Sequence, residues 1–194
     1  MARRLIPTPS QTVGPFFHLA LDRPEWADLA PPGAAGERIV VEGSVVDGDG
    51  APVADACLEL WQANAAGRYA HPDDDREDKP LDPNFRGFGR VSTDAAGRFR
   101  FTTIRPGPVP GRGNNLQAPH IAVALFARGL LKQLYTRIYF ADAEGNETDP
   151  VLASIDDPAR RQTLLATRSS AAGAPIYRFD IVLQGNGETV FFEI

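Results

Sequence analysis

Ala118-Pro119-His120-Ile121-Ala122-Val123 reads as a metal-binding strand with one ligand missing. Side chains at i and i+2 of a strand share a face, so a His-x-His pair offers two imidazoles to one ion. Here the second position is Ala122, whose methyl group donates no electron pair. The stretch predicts a strand over residues 120–126, and segments on both sides predict more. Upstream, Ile39, Val41, Gly43 and Val45 alternate with Val40, Glu42 and Ser44, and Asp47-Gly48-Asp49-Gly50 then supplies hairpin-like turn chemistry. Cys57-Leu58-Glu59-Leu60-Trp61 predicts the next strand, and residues 89–93 and 98–103 flank an Asp94-Ala95-Ala96-Gly97 turn. Downstream, residues 133–140 and 177–183 complete a set of about seven short strands separated by Gly, Pro and Asp turns, which predicts a mainly β fold, a β-sandwich or barrel.

Helix is scarce in this pattern. Asp156-Asp157-Pro158 supplies a cap and a first-turn proline for a helix over residues 156–165, and a helical turn is expected over residues 24–29. The latter lies in residues 1–36, which carry six prolines and read as an extended N-terminal arm before a β core over residues 37–194. One domain is expected for a chain of 194 residues with no break in composition.

With 43% hydrophobic and 23% charged residues the chain reads as soluble, and no apolar run approaches a membrane span. A net charge of −5 disfavours a nucleic-acid partner, which needs a clustered basic face. Small molecules or proteins fit better. Proline interrupts the N-terminal apolar residues too early for a signal peptide, and the single cysteine, Cys57, permits no internal disulfide. A cytoplasmic location is the expectation.

Chemistry-bearing residues are few. The three histidines are His18, His71 and His120. His71 opens the acidic run His71-Pro72-Asp73-Asp74-Asp75, which reads more readily as a solvated surface than as a cation site. His120 alone reads as a core or pocket histidine, because a metal needs three or four donors. No nucleophile elbow or phosphate-binding glycine loop is present.

The ordered segments Ser10-Gln11-Thr12-Val13-Gly14-Pro15-Phe16, Leu58-Glu59-Leu60-Trp61-Gln62-Ala63-Asn64-Ala65-Ala66-Gly67-Arg68-Tyr69, Leu81-Asp82-Pro83-Asn84-Phe85-Arg86-Gly87-Phe88-Gly89-Arg90, Ile104-Arg105-Pro106-Gly107-Pro108 and Tyr177-Arg178-Phe179-Asp180-Ile181 resemble the intradiol ring-cleaving dioxygenases. They span nearly the whole chain in the family's order. The resemblance implies the family's β-sandwich, and the cleavage by O2 of an aromatic ring between two hydroxylated carbons. It also implies ferric iron held by two tyrosines and two histidines, hard phenolate donors suiting Fe(III).

Carried onto this sequence, the histidines fall on His120 and Ala122, one tyrosine falls on Val109, and the other lands near Arg76 or Glu77. The chain thus resembles the iron-free α type of those members that are built from two related chains. By that resemblance Fe(III) belongs to a homologous iron-binding β subunit, and this chain holds no metal and no catalytic residue. Thr12, Gly14, Pro15 and Arg128 are implied to line a shared site for a small aromatic substrate, 3,4-dihydroxybenzoate (protocatechuate), opened to 3-carboxy-cis,cis-muconate. A guanidinium at Arg128 suits an anionic aromatic carboxylate. Two other readings stay open, a self-sufficient dioxygenase with altered ligands and a β-sandwich binding module without enzymatic activity. The apolar ending Val190-Phe191-Phe192 suits either a subunit interface or the core.

Overall fold

Apolar side chains on alternate positions bury one face of a strand, and in this chain two sets of such strands close on each other. The computed structural model describes residue 9 and residues 20–111, 113, 115–169 and 173–193. The strands are β1 (Arg38–Val46), β2 (Cys57–Trp61), β3 (Phe88–Ser92), β4 (Arg98–Ile104), β5 (Val109–Pro110), β6 (Leu116–Gln117), β7 (His120–Phe126), β8 (Leu134–Phe140), β9 (Leu165–Ser169), β10 (Ile176–Arg178) and β11 (Ile181–Val182). Two short helices, α1 (Pro150–Ala153) and α2 (Pro158–Gln162), and a 3-10 turn over Pro24–Ala27 complete the main elements.

Nine strands form one nearly closed, barrel-like sheet in the order β3-β2-β7-β8-β9-β10-β1-β4, with β11 following β10 along the same edge of β1, and β5 and β6 pair separately. β9 joins the two halves. Its first residues pair parallel with β8, at Tyr139↔Leu165, and its later ones pair antiparallel with β10, at Arg178↔Thr167. Ile39, Val41, Phe99, Phe101 and Tyr177 from one half meet Leu58, Leu60, Ile121, Val123, Leu125, Ile138 and Phe140 from the other in a common buried core. A second, smaller apolar cluster of Ala118, Tyr139, Leu152, Leu164 and Val190 lies apart from it.

Both predicted strands at the centre, β2 and β7, have the expected bounds. The Asp47–Gly50 turn forms, with Asp47 Oδ1 accepting from Asp49 N and Ala51 N at 2.9 Å each. It does not create a hairpin between β1 and β2, however: β1 pairs with β4, β10 and β11, whereas β2 pairs with β3 and β7. The chain crosses from one half of the sheet to the other at this turn. The strand expected over residues 177–183 is split. Asp180 turns its carboxylate onto Ser44 N at 2.9 Å and Ser44 Oγ at 2.8 Å, and so interrupts the ladder between β10 and β11. Gly43 sits beside this break, where a Cβ would lie 1.7 Å from the Phe179 carbonyl oxygen, so no other residue fits.

The helix expected over residues 156–165 is shorter, ending at Gln162, and Leu164 turns into the smaller cluster. Asp157 caps it by accepting from Ala159 N at 2.8 Å. The C-terminal ending packs on its own chain: Val190 is buried, and Phe192 N donates to Tyr135 O at 2.8 Å. Of the two readings of that ending, core packing is the observed one. No helix among the described residues is long and apolar enough to cross a membrane.

Candidate functional site

Period-2 alternation sends Ile121, Val123 and Leu125 of β7 into the core, so His120 and Ala122 face outward. The register lines up Trp61, Ala122 and Arg137 in one row across β2, β7 and β8, and sets His120 opposite Tyr139 in the next. Over the opposite half of the sheet the outward residues are charged pairs, Glu42 with Arg100 and Arg178 with Asp180. The less charged outer face therefore belongs to β2, β7 and β8.

The polar excursion between β2 and β3 folds back over this face. Asn64 holds its base, accepting from Ala66 N at 3.0 Å and Arg68 N at 2.9 Å and donating to Pro80 O at 2.9 Å. Gly67 takes φ +83 and lies against the Pro108 carbonyl, 2.1 Å from where a Cβ would be, a position only glycine fills. Tyr69 then stacks on Trp61 with ring centroids 5.8 Å apart, and His71 meets the same indole edge-on at 6.4 Å.

The acidic run is only partly solvated. Asp73 is 92% exposed at its side chain, but Asp74 is 9% exposed and anchors the loop. It accepts from Tyr69 N at 2.8 Å, Arg76 Nε at 2.7 Å and Arg76 Nη2 at 2.5 Å. The Arg76 guanidinium bonded to it pulls the Asp74 carboxyl down to about 2. A cavity of about 690 Å³ lies against Trp61, Tyr69, His71, Asp74, Arg76 and Pro110.

His120 is 5% exposed. Its Nδ1 lies 2.8 Å from the Ala118 carbonyl oxygen, which can only accept, so Nδ1 carries the proton and Nε2 the lone pair. Burial, followed by the positive charge of Arg137, pushes its pKa down to about 4. Tyr139 is fully buried, accepts from Arg137 Nη1 at 3.2 Å and donates to Asp149 Oδ1 at 3.3 Å. Burial raises its phenol well above the ordinary value, so it is protonated. Asp149 in turn accepts from Ala118 N at 2.7 Å, Val151 N at 2.8 Å and Leu152 N at 2.9 Å, capping α1 and tying the start of β7 to it.

Of the positions that the resemblance assigns to iron ligands, the structure sets two beside Arg137 and links a third to it through Gln117. Ala122 is the cross-strand partner of Arg137, and His120 stands one row away. Val109 is buried and paired with Gln117, whose Oε1 accepts from Arg137 Nη1 at 2.5 Å. Glu77 is exposed in the loop, next to the Arg76 that is committed to Asp74 and to Gly67 O at 2.7 Å. This donor set does not fit ferric iron. Val109 and Ala122 have no lone pair to give, His120 is one neutral imidazole, and a guanidinium stands beside them. Among the described residues no three His, Cys, Asp or Glu side chains come together as a metal site.

Arg128 is not part of this cluster. It lies just beyond the far end of β7, eight residues and roughly 25 Å from His120 at the rise of an extended strand. Its side chain is 62% exposed, with Nη2 2.8 Å from Asp55 Oδ2. Thr12, Gly14 and Pro15 lie outside the described residues. Sequence reasoning missed Arg137. The signal available was its placement at i+2 from Tyr135 and i−2 from Tyr139 on an outward strand face.

The model of the family described as "Dioxygenase" matches residues 16–185. The chain is 44% identical to the protocatechuate 3,4-dioxygenase alpha chain of Pseudomonas putida, over the full length of both. It is likewise 44% identical to the protocatechuate 3,4-dioxygenase beta chain of Burkholderia cepacia, but over 79% of this chain and 67% of that one. Among solved structures, the dioxygenase domain of a dioxygenase and carbohydrate-binding fusion from Streptomyces sp. SirexAA-E is 30% identical with a TM-score of 0.63, covering 93% of this chain and 99% of that one. Catechol 1,2-dioxygenase from Pseudomonas arvilla C-1, at 23% identity and a TM-score of 0.63 over 81% of this chain and 55% of that one, shares the fold.

Proposed function

Because the chain belongs to the dioxygenase family, whose members here are intradiol ring-cleaving enzymes, we propose that it is the iron-free, alpha-type subunit of a protocatechuate 3,4-dioxygenase. It assembles with a homologous beta-type chain that carries Fe(III), and the complex opens 3,4-dihydroxybenzoate with O2 to 3-carboxy-cis,cis-muconate. The observation that carries this reading is that Val109 and Ala122 put apolar side chains where the family needs donors, with the cation Arg137 directly opposite Ala122. The full-length identity to an alpha chain supports it independently.

This chain supplies surface and charge rather than redox chemistry. Phe88 at 43%, Leu116 at 62% and Leu131 at 67% exposure are large apolar side chains suited to burial against a partner. Arg128 contributes its guanidinium to the substrate carboxylate at a site on the beta-type chain, a reading supported by its exposure outside the His120 cluster. The arm residues Thr12, Gly14 and Pro15 belong to the same proposed shared site.

Co-expression with a beta-type homologue tests the assignment. The expected result is a stable complex with one iron per pair of chains and ring cleavage of 3,4-dihydroxybenzoate, together with an isolated chain that is iron-free and inactive. Stoichiometric iron and ring cleavage by this chain alone would overturn it in favour of a self-sufficient enzyme. Failure to associate with any beta-type chain would leave the non-enzymatic binding module.

A further inference from the structure

Arg137 is a cation for which no carboxylate among the described residues serves as an ion-pair partner. Its hydrogen bonds among those residues, to Gln117 Oε1 and the Tyr139 hydroxyl, both use Nη1. The Asp149 carboxylate reaches it only through that hydroxyl, and its oxygens already accept from three backbone N–H groups. Glu193, an exposed carboxylate that lines the same cavity, makes no ion pair with it. Among the described residues nothing bonds to the Nε and Nη2 edge of the guanidinium, the edge that grips a carboxylate with two parallel hydrogen bonds.

Arg137 lines a cavity of about 500 Å³, together with Gln117, Ala122, Pro150, Val151 and Phe192. Its volume lies in the range of small-molecule sites, and its walls are apolar apart from a few polar groups. The Phe192 ring stands 6.0 Å from the guanidinium carbon and gives a flat ligand a surface to lie on. Ala122 matters here for what it lacks, since a larger side chain opposite Arg137 would fill the space. The depressed pKa of His120, to which Arg137 contributes after burial, agrees with a local excess of positive charge.

We propose that this cavity is a metal-free binding site for a small aromatic carboxylate, held by a bidentate contact to the Nε and Nη2 of Arg137 with its ring between Ala122 and Phe192. The inference rests on the geometry of this chain alone and does not depend on the subunit assignment above. It places a second, non-catalytic carboxylate site in any complex the chain forms.

Calorimetric titration of the full chain, without a partner, is the test. Benzoate is expected to bind at one equivalent and to weaken as salt rises. Its neutral isostere benzamide should bind at least about tenfold more weakly, because the contact is charge-assisted. Arg137→Gln should weaken benzoate by a similar factor, and Ala122→Leu should remove it by filling the cavity while leaving the charge in place. Inorganic phosphate should not displace benzoate, which separates an aromatic carboxylate site from a general anion site. No benzoate binding, equal affinity for benzoate and benzamide, displacement by phosphate, or undiminished binding in Ala122→Leu would each overturn the proposal. The subunit assignment would stand or fall separately, on assembly and ring cleavage.

Discussion

Ala122 of β7 and Arg137 of β8 face each other as direct partners across an antiparallel pair, with Trp61 of β2 on the other side of Ala122. The second histidine position of the family is thus occupied by a methyl group looking at a guanidinium. A cation raises the free energy of a second cation beside it, so Arg137 opposes a ferric ion electrostatically as well as failing to ligate one.

Restoring one imidazole should therefore not restore iron. Ala122→His, purified and loaded with ferric salt, is expected to bind no stoichiometric iron and to show no phenolate-to-iron absorption in the visible. Val109 still supplies no phenolate, and Arg137 still faces the new side chain. Tight ferric binding by the single variant would refute this account of the donor set.

His120 makes the fold sensitive to acid. Its native pKa is about 4, against about 6.5 for an unfolded histidine. Between these values the unfolded chain binds a proton that the native state does not, so stability falls as pH drops below about 6.5 and the loss is complete near 4. The 2.5-unit gap corresponds to about 3 kcal/mol. Urea unfolding of the wild type and of His120→Gln, compared at pH 7 and pH 4.5, should show the wild type losing more stability by about this order. Equal losses would mean that His120 is already protonated in the native state.

How far the site could be foreseen varied with how local its causes are. β2 and β7 were legible because Cys57–Trp61 and His120–Phe126 are apolar runs bounded by turn residues, whose character does not depend on which strand pairs with them. β9 was not, since of its residues Leu165–Ser169 only Ala166 is buried and the strand exists by bridging β8 to β10. The residues at the positions the resemblance assigns to ligands, His120, Ala122 and Val109, were visible as residue types. That two of them stand beside Arg137 and the third is linked to it through Gln117 was not, because the register of β7 against β8 and of β5 against β6 is fixed by partners distant in sequence. Asp74 was read as solvated for a different reason: its partners Arg76 and Tyr69 are close in sequence, but a run of charges does not show that the loop turns them onto one carboxylate.

Asp149 holds this arrangement together and should be costly to remove. One buried carboxylate accepts from the backbone N–H of Ala118, Val151 and Leu152 and from the Tyr139 hydroxyl. Asp149→Ala leaves two buried backbone donors and one part-buried one without an acceptor and uncaps α1, for an expected loss of about 3 kcal/mol in urea unfolding. Asp149→Asn keeps acceptor capacity on one oxygen and should lose less. Comparable losses in the two variants would show that packing, and not hydrogen bonding, sets the cost.

Arg128 carries the sharpest test of the shared site. Its exposed guanidinium is held by Asp55, a residue at φ +63 in the turn before β2, so its direction is set by backbone outside its own strand. In the complex with a beta-type chain, Arg128→Ala should raise KM for 3,4-dihydroxybenzoate by about tenfold while leaving KM for catechol, which has no carboxylate, nearly unchanged. Asp55→Ala should give a weaker form of the same split, because it loosens the guanidinium without deleting it. A merely structural role would raise KM for both substrates together, or lower kcat for both. If Arg128→Ala affects catechol as strongly as 3,4-dihydroxybenzoate, the arginine does not contact the carboxylate and the shared site must be drawn without it.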